Sequence, residues 1–239
     1  MYEEPNNFEP PTDEDFVPAP PKPPHPFDRW PSWSDGKSAW WIFAFMIVTS
    51  IAQWKYFSWF RAINFDASAS WQSVFVEREY WRLISALFAH ASFSHIGNNS
   101  ITFLIFAWVL AAYFGKWAFP IGGILIGVIS NAATLYYYGP GTSLLGASGM
   151  NYGLVAAWLV LYVRHDSKRS ISQRIMRSVG FAMMMLLPQQ YDPKVSYAAH
   201  ISGLICGLLY GTLLALLLKP RFPKSTKISD YSTNGSHLH

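Results

Sequence analysis

Charge is scarce in this sequence. Only 13% of its 239 residues are Asp, Glu, Lys or Arg, against roughly a quarter in a soluble domain, and 51% are hydrophobic. Cysteine is nearly absent. Cys206 stands alone, which excludes an intrachain disulfide and any cysteine-rich metal cluster. No HExxH pattern occurs, and no carboxylate falls inside the apolar runs, so a metal-dependent hydrolase would lack its usual general base. No internal repeat is visible, which counts against a transporter built from two related halves. A cleavable signal peptide is not expected, because the first apolar run begins near residue 39 behind an acidic tail.

What the sequence has is long apolar runs. A helix of about 20 apolar residues crosses a bilayer, and six candidates fit: 39–60, 96–115, 117–138, 148–163, 175–187 and 198–218. The fifth is short, and Gly122, Gly123 and Gly127 interrupt the third. A soluble fold does not string so many near-uncharged helices in series. The expected fold class is therefore all-α, a polytopic bundle of six transmembrane helices over residues 38–218. Trp30, Trp33, Trp40 and Trp41 flank the first run on one side and Trp54 and Trp59 on the other, as aromatic belts do. Lys55 is placed to snorkel to the surface.

The net charge of +4 raises a nucleic-acid partner, and the distribution argues against one. With six spans both termini share a side. Thirteen of the 18 Lys and Arg residues fall on that side, among them Arg164, Lys168, Arg169, Arg174 and Arg177; Lys55, Arg61, Arg78, Arg82 and Lys194 fall on the other. The positive-inside rule then puts both termini in the cytoplasm, with anionic membrane lipid as the partner of the basic residues. Residues 1–37 hold ten of the sixteen prolines and many carboxylates, and read as a disordered or extended tail. Residues 219–239 read as a basic, polar tail. The connection over 61–94 carries Phe65, Trp71, Phe75, Tyr80, Trp81, Leu83 and Phe88, and reads as a part-helical element lying in the interface. The connection over 139–147 is short and rich in Gly and Pro. Irregular backbone at membrane depth is tolerated only against protein or a water-filled cavity.

Polar groups in a membrane span mark a site by default. Ser148 lies in Gly146-Ala147-Ser148-Gly149, where Gly146 and Gly149 permit a tight turn into a helix. Its hydroxyl then sits at a helix N-terminus, where free N–H groups favour developing negative charge. Met150 stands where the soluble nucleophile elbow needs a second glycine. Alone, the motif fits a small-residue packing contact equally well. His200 is followed by Gly203, Gly207 and Gly211, and the first two share its helix face. Glycines four apart let helix backbones approach, so the imidazole reaches a neighbouring span. His95 and Asn99, at i and i+4, offer two hydrogen-bond donors on one face, which suits an oxyanion hole. Asn98 is turned away. A metal site of His90, His95 and His200 is the competing assignment, and it lacks a carboxylate base.

These pieces resemble the rhomboid family of intramembrane serine proteases, from about Trp71 to Gly211. Three blocks carry the resemblance. Glu79-Tyr80-Trp81-Arg82 through His90, His95 and Asn99 is similar to the family's Trp-Arg loop and His…His…Asn signature. Gly146-Ala147-Ser148-Gly149 with Tyr152-Gly153-Leu154 is similar to its nucleophile motif. His200 with Gly203 and Gly207 completes it. The resemblance implies a dyad without metal or cofactor: Ser148 as nucleophile and His200 as general base. It implies an oxyanion hole of His95, Asn99 and the Ser148 N–H, with Tyr152 packed on the histidine. Trp81 and Arg82 would hold the interfacial loop, and His90 would support. The family often carries Gly and then Glu where this chain has Ala107 and Ala111, whereas Gly115 is retained.

The resemblance further implies hydrolysis of peptide bonds in or near transmembrane segments of protein substrates, which would enter past the fifth span. Residues 188–193 would cover a cavity open to the non-cytoplasmic face. A bacterial inner membrane is the expected location. Two other functions compete: an inactive relative that binds transmembrane segments, which would typically lack the serine or the histidine, and a transporter, which would want intramembrane carboxylates.

Overall fold

A computed structural model describes residues 25–55, 66–186 and 196–221. The outer part of the N-terminal tail, Arg61, Phe65, Lys194, the 188–193 connection and residues 222–239 lie outside the described residues.

Helix α1 spans Lys37–Lys55 and carries apolar residues on its inner and outer faces alike, so it gains from hydrocarbon on one side and protein on the other. Trp41, Phe45 and Val48 are exposed on its outer face, while Phe43 stacks on Phe103 at 6.3 Å. Helix α3 spans Phe93–Phe114 and starts three residues ahead of the expected run. The cause is Ser92, whose hydroxyl accepts from the His95 N–H and caps the first turn. A π-helical turn, Trp117–Gly122, runs into α4, Gly123–Tyr138. Helices α5 (Ser148–His165), α6 (Ile171–Leu186) and α7 (Tyr197–Leu217) complete the bundle.

Helix α5 lies at the centre, packed against α3, α4, α6 and α7. Leu154, Val155, Ala156 and Leu161 have no exposed surface. Among the described residues three stretches are long and apolar enough to cross a membrane: Phe93–Phe114, Trp117–Tyr138 and Tyr197–Leu217. Helices α1, α5 and α6 are not among them, and α6 has only 16 residues. For α5 the reason is its position, since a helix enclosed by protein needs no continuous apolar surface. On α7 the outward residues Ile201, Ile205, Leu209, Leu213 and Leu216 are all exposed. A stripe of that extent belongs in lipid. This chain is a polytopic integral membrane protein.

The described part of the 61–94 connection, residues 66–94, holds short helical turns. It has a π-helical turn Gln72–Val76, a four-residue helix α2 (Arg82–Ser85) and a 3-10 turn Ala86–Phe88. It also supplies one strand of a short pair within the predominantly helical fold that the sequence predicts. Strand β1, Ala69–Ser70, pairs antiparallel with β2, Ser143–Leu144, in the register Ala69↔Leu144 and Ser70↔Ser143. Two-residue strands are too short to show alternation in a sequence. The sequence reading differs over the tail as well. Residues 25–36 fold into 3-10 turns at Pro26–Asp28 and Trp33–Gly36, anchored by Phe27 against the rings of Tyr113, Trp158 and Tyr162. One half-buried aromatic packed on three rings outweighs a proline-rich composition there.

Candidate active site

Ser148 opens α5 directly after Gly146 and Ala147. Gly146 has φ +113°, and a Cβ there would stand 2.6 Å from the His95 ring. Only glycine satisfies both conditions. The turn is tied to the interfacial loop through Gly146 N–H to Ala86 O (2.8 Å), the β1–β2 pair, and Trp71 N–H to Thr142 O (3.0 Å). The loop is in turn tied by Arg82. Its guanidinium donates to Glu79 Oε2 (2.5 Å) and to the backbone oxygens of Asp66 and Ser68, and lies 4.8 Å from the Trp81 ring centre. Trp81 and Arg82 therefore act on the loop, some way from Ser148 along the chain of contacts.

His200 stands in the first turn of α7, capped by Ser196, whose hydroxyl accepts from Ala199 N–H (3.3 Å). Its ring stacks on Tyr152 of α5, centroids 4.1 Å apart and planes within 12°, and Tyr197 closes on it edge-on at 6.1 Å. Backbones of α5 and α7 touch beneath it. A Cβ on Gly203 would lie 2.0 Å from Gly149 O, and one on Gly207 would lie 2.1 Å from Gly153 O. Ser148 and His200 thus stand at the same end of a touching helix pair. Among the described residues no direct hydrogen bond joins them; nucleophile–base contacts are often loose until substrate is bound.

Three hydroxyls brace this end, two from α4 and one from α7. Ser130, fully buried, donates to Ala199 O (2.9 Å) and lies 3.1 Å from Ser202 Oγ, which Thr134 also reaches at 3.1 Å. Opposite them, at the start of α3, Asn99 is buried and donates its Nδ2 to His95 O (3.0 Å); Asn98 is exposed. Asn151 of α5 donates to Asn99 Oδ1 (2.9 Å) and to Asn99 O (3.0 Å).

His90 lies ahead of α3, 1% exposed, with its ring edge-on to His95 at 5.0 Å. Its Nε2 accepts from Ala147 N–H at 3.4 Å, which leaves Nδ1 to donate to Ser50 Oγ at 3.2 Å; Ser50 then donates to Phe88 O. Trp54 donates to His90 O at 2.6 Å. Burial, with the neighbouring His95 adding to it, holds the His90 imidazole down at about 4, so the ring is neutral at physiological pH. Helix α1 therefore reaches the Ser148 turn through one neutral ring. Among the described residues no three His, Cys, Asp or Glu side chains converge as a metal set.

Sequence reasoning missed Asn151, Ser130 and the Ser50–Trp54 pair. Each is polar in an apolar run, the only signal available. The Ala107 and Ala111 positions are buried core near the other end of α3, away from all of these groups.

A family model described as the Rhomboid domain matches residues 77–217. The chain is 27% identical over 175 residues to the putative rhomboid protease YdcA of Bacillus subtilis, covering 72% of this chain and 81% of that one. It is 29% identical over 150 residues to rhomboid protease GlpG of Haemophilus influenzae, covering 60% and 74%. With the chloroplastic RHOMBOID-like protein 9 of Arabidopsis thaliana it shares 24% over 139 residues, covering 56% of this chain and 31% of that longer one.

Proposed function

The chain belongs to the rhomboid family, and we propose that it is an intramembrane serine endopeptidase with Ser148 as nucleophile and His200 as base. The observation that carries this is the Tyr152–His200 stack above the Gly149–Gly203 contact, which holds the imidazole against the first turns of the helix that Ser148 opens. His200, neutral, takes the Ser148 proton as Oγ attacks the substrate carbonyl. The tetrahedral oxyanion is received by His95, Asn99 and the Ser148 N–H at the start of α5. Collapse breaks the C–N bond, and His200 returns the proton to the leaving amine. Water, deprotonated by His200, then attacks the acyl-enzyme ester; the ester C–Oγ bond breaks and His200 returns the proton to Ser148 Oγ.

In this reading α1, α3, the 117–138 stretch, α5, α6 and α7 are the six membrane spans, with both termini cytoplasmic in a bacterial inner membrane. Substrates are transmembrane segments of other proteins. Helix α6, short and with Ile175, Met176, Val179, Met183 and Met184 exposed, fits a wall past which such a segment enters.

The test uses purified protein in lipid with a panel of single-span substrates. Wild type is expected to cleave at least one; Ser148→Ala and His200→Ala are expected to fall to background with unchanged thermal midpoints. A serine-reactive phosphonate should label Ser148 in folded wild type only. Wild-type rates from Ser148→Ala would refute the nucleophile. Absent cleavage together with absent labelling of folded protein would make the chain an inactive binder of transmembrane segments.

A further inference from the structure

Asn151 has no part in the mechanism above, yet it is the polar residue that the fold treats most deliberately. It lies three residues after Ser148 in the first turn of α5 and is 3% exposed. Its Oδ1 is buried and meets no hydrogen-bond partner among the described residues. A residue selected for packing would be apolar there, since an unpaired buried carbonyl costs on the order of 1–3 kcal/mol. The compensation lies at the other end of the amide. Nδ2 donates both to Asn99 O (3.0 Å) and to Asn99 Oδ1 (2.9 Å).

Two backbone carbonyls fix which end of each amide is nitrogen. Asn151 Nδ2 faces Asn99 O, and Asn99 Nδ2 faces His95 O at 3.0 Å. The Asn99 carboxamide is planar, with its oxygen held by Asn151 and one N–H held by His95 O. Only its second N–H remains, in a direction the two clamps define. Without Asn151, Asn99 Oδ1 would be left buried and unpaired. Turning the amide to solve that would bring an acceptor to the place where an oxyanion needs a donor.

We propose that Asn151 is a positioning residue that orients Asn99 as an oxyanion-hole donor. The inference rests on the protease reading, and it concerns a residue placed on the nucleophile's own helix, so that the oxyanion donor and the nucleophile are tied by a single side chain.

The experiment measures kcat and KM for cleavage of a single-span substrate in lipid. It compares wild type, Asn151→Leu, Asn151→Asp, Asn99→Ala and the Asn99→Ala/Asn151→Leu double variant, with Ser148→Ala as the blank. Asn99→Ala should lower kcat by about 10²–10³. Asn151→Leu should lower it by about tenfold, the size of one hydrogen bond in a transition state, with KM unchanged. Asn151→Asp, whose carboxylate offers only acceptors, should draw Asn99 Nδ2 toward itself and lose more than Asn151→Leu. In the Asn99→Ala background Asn151→Leu should add nothing, because its route to the oxyanion is already gone. Phosphonate labelling of Ser148 should slow in parallel with kcat.

Full wild-type kcat in Asn151→Leu, or a loss that multiplies in the double variant, would make Asn151 a packing contact and overturn the proposal while leaving the protease reading intact. Loss of Ser148-dependent cleavage in wild type itself would overturn both. If Asn151→Leu does not fold, Asn151→Ala removes the donor without adding bulk, and the same cycle with Asn99→Ala decides.

Discussion

The two ends of α5 are held by different physics. At the Ser148 end the contacts are backbone to backbone, or short and neutral: Gly149 on Gly203, Ser130 on Ala199 O, Asn151 on Asn99. At the Asp166 end they are long side chains. Phe27 lies among Tyr113, Phe114, Trp158 and Tyr162 at centroid distances of 5.0–6.4 Å. His25 Nε2 meets His165 O at 2.9 Å, Tyr113 donates to Arg29 O at 2.7 Å, and Lys168 pairs with Asp28. Rings and flexible cations adjust by a few tenths of an ångström without losing their contact. Touching backbones cannot. One end of the central helix is therefore built to fix a geometry and the other to hold a fold, and substitutions at the two ends should separate rate from stability.

The contrast is most exposed at Gly203. Its added Cβ would meet Gly149 O at 2.0 Å, and that obstacle is backbone with no rotamer to relieve it. Gly203→Ala should therefore push α7 from α5 and shift His200 relative to Ser148. A displacement near 1 Å costs on the order of 10² in rate, and overpacking of this kind costs about 1–3 kcal/mol of stability. Gly180→Ala on α6 is the control, because no atom of the described residues lies within 4 Å of its Cβ position. It should leave the fold as stable or slightly more so. Equal cleavage rates for wild type and Gly203→Ala, measured alongside their thermal midpoints, would break the distinction between the two ends.

Much of the site end was legible from spacing. Gly203 and Gly207 after His200 announced a close-packed face, and Gly149 and Gly153 supply its partner on α5. The 117–138 run matched its helical stretch to the residue, because Gly115 and Gly139 bound it with positive φ. Asn151 was visible as an amide in an apolar run, but no spacing rule says that it meets Asn99 rather than lipid. Sequence separation hides such a pair; only the relative rotation of α3 and α5 reveals it. The strap over 25–36 was hidden for the opposite reason. Its composition resembles a solvated tail, and a single Phe27 inserted among four rings overrides that average.

Acid separates the ends a second way. His90 holds the Ala147 N–H as a neutral ring, with its titration pushed from 6.5 down to about 4 by burial. The unfolded chain takes the proton first as pH falls. The stability that His90 contributes is therefore complete above pH 6.5 and is lost progressively between 6.5 and about 4. His90→Gln, which does not titrate, should start with a lower thermal midpoint at neutral pH and then lose less across that interval. Parallel midpoint-against-pH curves for the two proteins would show that the ring does not carry this linkage.

Asp166, at the other end of α5, should answer later in the same titration and more weakly. Burial pushes its carboxyl up, yet hydrogen bonds from Tyr162, Arg169 and the Lys168 N–H outweigh that and leave it below its ordinary value of 3.8. Arg169 Nη1 sits 2.8 Å from Oδ2, and the Lys168 N–H 3.1 Å from Oδ1. Its contribution is then present above 3.8 and lost only as pH falls through the lower folded value. Asp166→Asn should leave the midpoint curve unchanged in shape between pH 6.5 and 4, where His90 acts, and flatten it below 3.8. Its cost at neutral pH should be smaller than that of His90→Gln, because water and salt reach the Arg169 partner. Cleavage at neutral pH should not change, since the residue touches nothing at the Ser148 end. A drop in cleavage with an unmoved midpoint would mean that the far end of α5 steers the chemistry, and that the two ends are not separable.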